Sequence, residues 1–467
     1  MEPLFGLIAA AIAGSVAYLL RAERRRAQLA VWRQAALRAG LTDVESTEGG
    51  FFQRTAVWGR AGELLVRLED YHRGKNVYGT RIVIEGLGHG AGGLTLRREG
   101  LSTAFEKRVV GEREIEIGDP AFDSEYYVQG QTPLALAILD PETRKRAAVL
   151  LRGRVAVGGS QWVDVDASLS YGRLEVDVKE SGFSRNRQHV PAILESALDV
   201  ARRLVAPKDV PARIAANLGR EPEAGARLAS LLALAREFPN HPATREALLA
   251  ARGDDSEEVR LRAGIALREE GRETLGELVR GAGTSDACAA RAVAALDERL
   301  PEDLAASTLQ RALGGAGRPL TARACLESLG RLARPDHEGL LLEALASDER
   351  EVSVAAARAL GQAGTVAAVV PLQESAERGG EHRRAARQAI AEIQARLQGA
   401  GPGQLSLAGG EAGALSLADG EPGRLSLAEG EEPGDHTEER QGRALRITVD
   451  EEVARGERRL GGERNRE

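Results

Sequence analysis

The sequence predicts a multidomain protein: an N-terminal transmembrane helix, an α+β domain built on an antiparallel sheet, a C-terminal α-solenoid and a disordered tail. Three observations carry that fold class. An uncharged run fills Pro3 to Leu20, hydrophobicity alternates with a period of two from about Thr42 to Leu204, and a helical pattern recurs every 30 to 33 residues between Glu223 and Leu397. The boundaries that follow are 1–41 for the anchor and a juxtamembrane helix, 42–206 for the sheet domain, 207–222 for a linker, 223–397 for the solenoid and 398–467 for the tail.

The anchor comes first. Eighteen helical residues span about 27 Å, enough to cross a bilayer core. A cleaved signal peptide carries its positive charge before the apolar run, whereas here Arg21, Arg24, Arg25 and Arg26 follow it. The positive-inside rule therefore puts the N-terminus outside and the bulk of the chain in the cytoplasm, as a single-pass protein of the cytoplasmic (inner) membrane. The helix runs on through "AQLAVWRQAALRAG", where Trp32 and the arginines suit a headgroup layer.

In the second segment "ELLVRLE" puts Leu64, Val66 and Leu68 on one face, and "RIVIE", "LTLR", "REIEI", "VDVDASL" and "GRLEVDV" alternate likewise. Gly and Pro clusters separate these runs, which is the pattern of an antiparallel sheet. Helices are expected at Pro141 to Leu151 and at Val190 to Val205. The second carries Ile193, Leu194, Ala197, Leu198 and Ala201 on one stripe for packing on the sheet.

After the Pro-punctuated linker the solenoid begins. Val259-Arg260 recurs as Ala290-Arg291, Ala322-Arg323, Val352-Ser353 and Arg383-Arg384, at steps of 31, 32, 30 and 31 residues, with an earlier copy, Ala226-Arg227, 33 before. Shorter helices lie between: "REALLAAR", "ETLGELVR", "DLAASTLQRAL", "EGLLLEALAS" and "AAVVPLQESAE". Helix pairs at this period stack into a solenoid, because one pair alone cannot bury its apolar face. In this register Leu267 and Leu360 are expected between adjacent helices. The tail repeats "LSLA" from Leu405, Leu415 and Leu425 in a Gly-, Pro- and Glu-rich context that cannot bury a core. The string reads as a spacer, or as a strand that adds to a partner's sheet edge.

Two resemblances follow from these residues. "GDPAFDSEYYVQG" with "ALAILDPETRKRAAVL" resembles a family of membrane-anchored bacterial domains of unknown function. Phe122, Tyr126 and Val128 match its first part, and Leu139 and Pro141 its second, with Asp140 where the family has Thr. That likeness implies topology and brings no catalytic residue. The solenoid resembles short bacterial HEAT repeats of the type seen in phycobilin lyases. The matching marks are Asp255 with Arg260 and Asp286 with Arg291, while Asp348 meets Ser353. The resemblance implies a hydrogen-bonded ladder between neighbouring repeats and a binding scaffold, not lyase activity.

Composition narrows the chemistry. The net charge of -7 argues against nucleic acid as a partner. Cys288 and Cys325 are too few for a structural zinc site and sit among Ala and Leu, as buried thiols do. "GLGHGAGG", Gly86 to Gly93, has the G-x-G-x-x-G spacing, but a strand follows it instead of the helix a phosphate loop needs. It reads as a glycine-rich hairpin with His89 in the loop. In "WVDVDASLSYGRLEVDV", a hairpin with Val165 facing Val176 would set Asp166 against Glu175 and Asp164 against Asp177. Facing like charges are unfavourable unless a cation or an arginine sits between them. The four side chains could hold Ca²⁺, yet metal loops seldom lie on flat strands, so a solvated acidic face is the expectation. The seven histidines are scattered, and no nucleophile elbow or Walker loop occurs.

No catalytic, cofactor-binding or metal-binding residue is therefore assigned, and no cofactor. The sequence points to a membrane-anchored scaffold or adaptor that binds protein partners through its solenoid. Two other readings stay open. A lyase-like or client-modifying enzyme helper would need polar groups converging in a solenoid pocket, and a ligand or lipid sensor in the β-rich domain would need a deep apolar cavity.

Overall fold

A computed structural model describes Val16, Leu19 and residues 22–23, 25–49, 54–73, 77–90, 93–99, 114–157, 162–180, 186–314, 317–396, 405–407 and 415–417. The expected membrane run, Pro3 to Leu20, falls outside these residues except for Val16 and Leu19. Among the described residues no helix is long and apolar enough to cross a membrane.

Residues 25–38 are helical (α1). Here the structure corrects the expectation: Trp32, expected at headgroup depth, is completely buried with Leu29, Ala35 and Ala36 in the core of the sheet domain. Spacings of three and four give α1 an apolar stripe that needs a protein face. Gln28 donates from Nε2 to Asp70 Oδ1 at 2.5 Å and ties the helix to the third strand.

The strands are β1 (Thr42–Thr47), β2 (Ala56–Ala61), β3 (Leu64–Arg73), β4 (Val77–Glu85), β5 (Thr95–Arg98), β6 (Tyr126–Gln129), β7 (Arg154–Ala156), β8 (Trp162–Ser170) and β9 (Arg173–Glu180). They form one antiparallel sheet in the order β1-β2-β3-β4-β9-β8-β5-β6, with β7 beside β8. The β8–β9 hairpin turns at Tyr171 and Gly172, both at positive φ (51° and 77°), as a tight turn between right-twisted strands requires. Leu64, Val66 and Leu68 of β3 and Ile82 and Ile84 of β4 are buried, as the alternation predicts. "REIEI" is the exception. Residues 114–117 are not a strand, although Ile115 and Ile117 are buried and the Ile115 N–H donates to Val128.

Four helices complete the domain: α2 (Pro120–Asp123), α3 (Thr132–Ile138), α4 (Pro141–Leu151) and α5 (Val190–Arg203). Asp119 and Asp140 cap α2 and α4 through the N–H groups of Phe122 and Thr143. The α5 stripe of Ile193, Leu194, Ala197, Leu198 and Ala201 is buried throughout. The residues of the middle-domain pattern are structural: Phe122, Tyr126, Val128 and Leu139 are buried, and the Phe122 and Tyr126 rings pack 4.8 Å apart.

Residues 207–222, expected as a linker, instead carry a docked helix, α6 (Val210–Leu218). Ile214 is buried, and Asn217 Nδ2 donates to the Leu136 and Ala137 carbonyls, which end α3 without intrahelical partners. The solenoid follows as α7 (Ala224–Glu237), α8 (Pro242–Ala250), α9 (Glu257–Leu267), α10 (Arg272–Arg280), α11 (Asp286–Leu296), α12 (Glu302–Leu313), α13 (Pro319–Leu332), α14 (Glu338–Leu345), α15 (Arg350–Ala363), α16 (Val369–Glu377) and α17 (Gly380–Arg396). Ala226, Ala233 and Leu234 of α7 lie in the same apolar cluster as the sheet. One continuous core thus runs from the sheet domain into the first repeat.

Of the tail, Leu405–Leu407 and Leu415–Leu417 are described and pair antiparallel, with Ser406 opposite Ser416. Two of the three LSLA strings, expected to be disordered in isolation, satisfy each other's strand edges. The third, at Leu425, lies outside the described residues.

Candidate partner-binding surface of the solenoid

The six copies read from the sequence all fall on one row of helices: α7, α9, α11, α13, α15 and α17. The five intervening segments form the other row, α8, α10, α12, α14 and α16. Helices of the first row lie directly on one another from α11 to α17, while the second row is loosely packed. A stack with one row packed more closely curves toward that row.

Small residues permit the close approach. A Cβ on Gly330 of α13 would come within 2.9 Å of Ala359 Cα on α15, and one on Gly361 within 3.0 Å of Ala389 Cα on α17. Gly330 and Gly361 thus hold equivalent contacts one repeat apart. Leu360 is fully buried between these helices. Leu267 is not: it lies half-buried at the end of α9, against a small separate cluster around Leu231 and Val259.

The ladder between repeats exists, with partners other than those expected. Arg227 of α7 makes a two-toothed ion pair with Asp254, not Asp255, at 2.7 and 2.9 Å. Burial by itself would raise the Asp254 carboxyl. The Arg227 hydrogen bonds, the Ser256 N–H and the nearby arginine charges outweigh it and hold the group below its ordinary range. Arg260 turns back to the Asp254 and Asp255 carbonyls. Arg291 of α11 reaches Glu258 of α9 at 2.6 and 3.0 Å, which frees Asp286 to cap the next helix of the row. Its carboxylate accepts from the Leu320 and Thr321 N–H groups and from Thr321 Oγ1, at 2.9, 2.9 and 2.7 Å. Where Ser353 replaces the arginine, Ser353 Oγ lies 2.8 Å from His382 Nε2 on the following helix of the row. The exposed link Arg323–Glu351 continues the pattern. Such surface pairs add little stability but fix the register of neighbouring repeats.

The other residues singled out in the sequence take structural places. The glycine-rich stretch is not a hairpin, because β9 and β8 lie between β4 and β5 in the sheet. It is a crossover, with Gly86, Gly88 and Gly90 at φ of 92°, 72° and 65°. His89 is buried there instead of lying in an open loop. Its Nε2 is 2.6 Å from the Leu204 carbonyl oxygen, and burial pushes its pKa down, partly offset by that hydrogen bond.

The β8–β9 register is shifted by two from the expectation, so Val165 faces Val178 and Asp166 faces Asp177. The balancing charge is Arg81 of β4. It donates to both Asp177 carboxylate oxygens at 2.6 and 2.8 Å and lies 3.6 Å from Glu175. Among the described residues no group of three His, Cys, Asp or Glu is placed to hold a metal ion. Cys288 and Cys325 are buried free thiols whose pKa values burial pushes up to about 11 and about 12, so neither is a thiolate at neutral pH.

With this geometry in place the comparison is direct: residues 305–391, from within α12 to within α17, match the family model of HEAT repeats. The helix pairs within residues 305–391 are similar to HEAT repeats. The match covers the part of the solenoid where the first row is most closely packed, and the same pairing continues N-terminally through α7 to α11. Among the curated proteins none matches the chain. The matched segment exposes Arg358 and Arg387 on two successive helices of its closely packed row.

Proposed function

We propose that this chain is a scaffold or adaptor, held at the cytoplasmic face of a membrane by its N-terminal run, that binds protein partners through the HEAT solenoid. The observation that carries the proposal is the stacking of the repeats into one row, whose exposed side chains form a surface longer than any single helix. The reading assigns no catalytic step to the chain. Its anchor rests on the uncharged run Pro3 to Leu20 with arginines following it.

Affinity capture tests the binding reading. The full chain is compared with a variant carrying Arg358→Glu and Arg387→Glu, exposed changes outside the core and outside the ladder between repeats. Loss of specific partners from the variant is expected; an identical set of captured proteins contradicts the reading. Fractionation tests the anchor. Deletion of residues 1–20 spares α1, and it should release the protein from membranes; recovery of the intact chain in the soluble fraction rules the anchor out.

A further inference from the structure

The repeat quoted most easily from the sequence, "DDSEEVRLRAGIALREEG", ends in an unusual turn. Arg268, the residue after α9, has φ 54° and ψ −111°, a conformation that favours glycine. Gly271, three residues on, folds back so closely that a Cβ there would collide with the Gly264 carbonyl oxygen. This pinch brings α10 against α9 and leaves a cavity of about 450 Å³ on the edge of the solenoid, between the α9–α10 turn and the end of α11. The volume lies within the range of ligand-sized pockets.

Its lining is of two kinds. Ile265, Leu275 and Leu296 give an apolar floor, and Ile265 is 40% exposed. Arg268, Arg272 and Arg299 stand around it. The acids nearby are already engaged: Glu269 with Arg299 at 3.0 Å, Glu270 with Arg245 at 2.8 Å, Glu273 with Arg252 at 2.9 Å and Asp297 with Arg331 at 2.8 Å. Arg272 spends Nε and Nη2 on the Arg299 carbonyl, a neutral acceptor, so its charge is uncompensated. The Arg268 guanidinium has no hydrogen-bond or ion-pair partner among the described residues, its backbone alone bonding within the turn. Two positive charges therefore face an open apolar floor.

We propose that this cavity seats an apolar side chain of a partner peptide that carries carboxylates beside it, with Arg268 and Arg272 taking the carboxylates. The inference deepens the scaffold reading and rests on it for the kind of partner. Charge complementarity fixes the peptide's sign, and the floor fixes the need for an aliphatic anchor.

The test uses the purified full chain and a fluorescent eight-residue peptide with two leucines followed by three glutamates, read by anisotropy. Three comparisons accompany it: the same peptide with glutamines, inorganic phosphate as competitor, and the variant Arg268→Gly. Glycine accepts the backbone of position 268, so the variant keeps or raises the thermal midpoint while removing the guanidinium. The expected result is saturable binding, weakened at least tenfold by either glutamine or Arg268→Gly. No binding, or binding indifferent to both changes, overturns the proposal. Displacement by phosphate at the peptide's own concentration also overturns it, since it would mean a bare anion site. Arg358 and Arg387 lie outside this cavity, so its failure would leave the capture result with that variant standing.

Discussion

Arg144 of α4 grips Glu221 at the head of the solenoid with two hydrogen bonds of 2.8 and 3.0 Å, and both side chains are buried. The same guanidinium donates to Asp119 at 2.9 Å and to the Leu139 carbonyl. Close by, Gly118 and Gly225 touch backbone to backbone, with no room for a Cβ on either. This joint makes the sheet domain and the first repeat one mechanical piece. Removing one partner leaves a buried charge unpaired, so Arg144→Met is expected to cost about 3–5 kcal/mol. Arg144→Met with Glu221→Leu should recover much of that loss in a chemical-denaturation cycle. A double variant as unstable as the single one would show that the pair does not act as a unit.

The close packing of the first row gives a second expectation. Gly361→Leu must push its side chain against Ala389 and is expected to destabilise by about 1–3 kcal/mol through overpacking. Gly379, at φ 80° with open space around it, is a useful contrast. Gly379→Asn should be far milder, because Asn tolerates the left-handed region. Equal thermal midpoints for the two variants would contradict the packing described.

Leucine truncation separates the two positions that the repeat pattern treats alike. Leu360→Ala empties a fully buried site and should cost about 2–5 kcal/mol. Leu267→Ala removes a half-buried side chain at a helix end and should cost clearly less. Urea unfolding of the full chain measures both; similar costs would place Leu267 inside the stack after all.

His89 supplies a pH dependence. Its folded pKa is depressed by burial, so below the ordinary histidine value the unfolded chain binds the proton more readily than the folded one. Stability from this group is present above about pH 6.5 and is lost as pH falls below it. His89→Gln keeps a donor for the Leu204 carbonyl without titrating. The thermal midpoint of the natural chain should therefore fall more between pH 7 and pH 5 than that of the variant, and parallel curves would exclude this role.

How far the sequence could be read depended on what each residue answers to. Periodicity located the solenoid rows because Leu and Ala spacing within a helix is a local property, and all six copies landed on the same row. It could not place Trp32, since an apolar stripe on α1 suits a membrane surface and a sheet equally well until a partner face is known. The β8–β9 turn was legible in Tyr171-Gly172, but the register was not, as a shift of two keeps every side chain on its own face. Crossovers are likewise invisible locally, so the Gly86–Gly93 stretch looked like a hairpin when two strands from later in the chain separate its ends. Long-range charges escaped for the same reason: Arg81 meets Asp177 across 96 residues and Arg144 meets Glu221 across 77. The unpartnered Arg268 guanidinium could have been flagged by its place one residue past the helical pattern, where glycine is the common choice.

The central claim is that the closely packed row of the HEAT solenoid is the protein-binding surface. Photo-cross-linking tests it most directly, with a benzophenone amino acid placed in the full chain at position 358 on α15 or, for comparison, at position 164 on the exposed face of β8. The account predicts discrete protein adducts from position 358, abolished by Arg387→Glu, and none of those adducts from position 164. Adducts from position 164 alone, or adducts at 358 that survive Arg387→Glu, would contradict it.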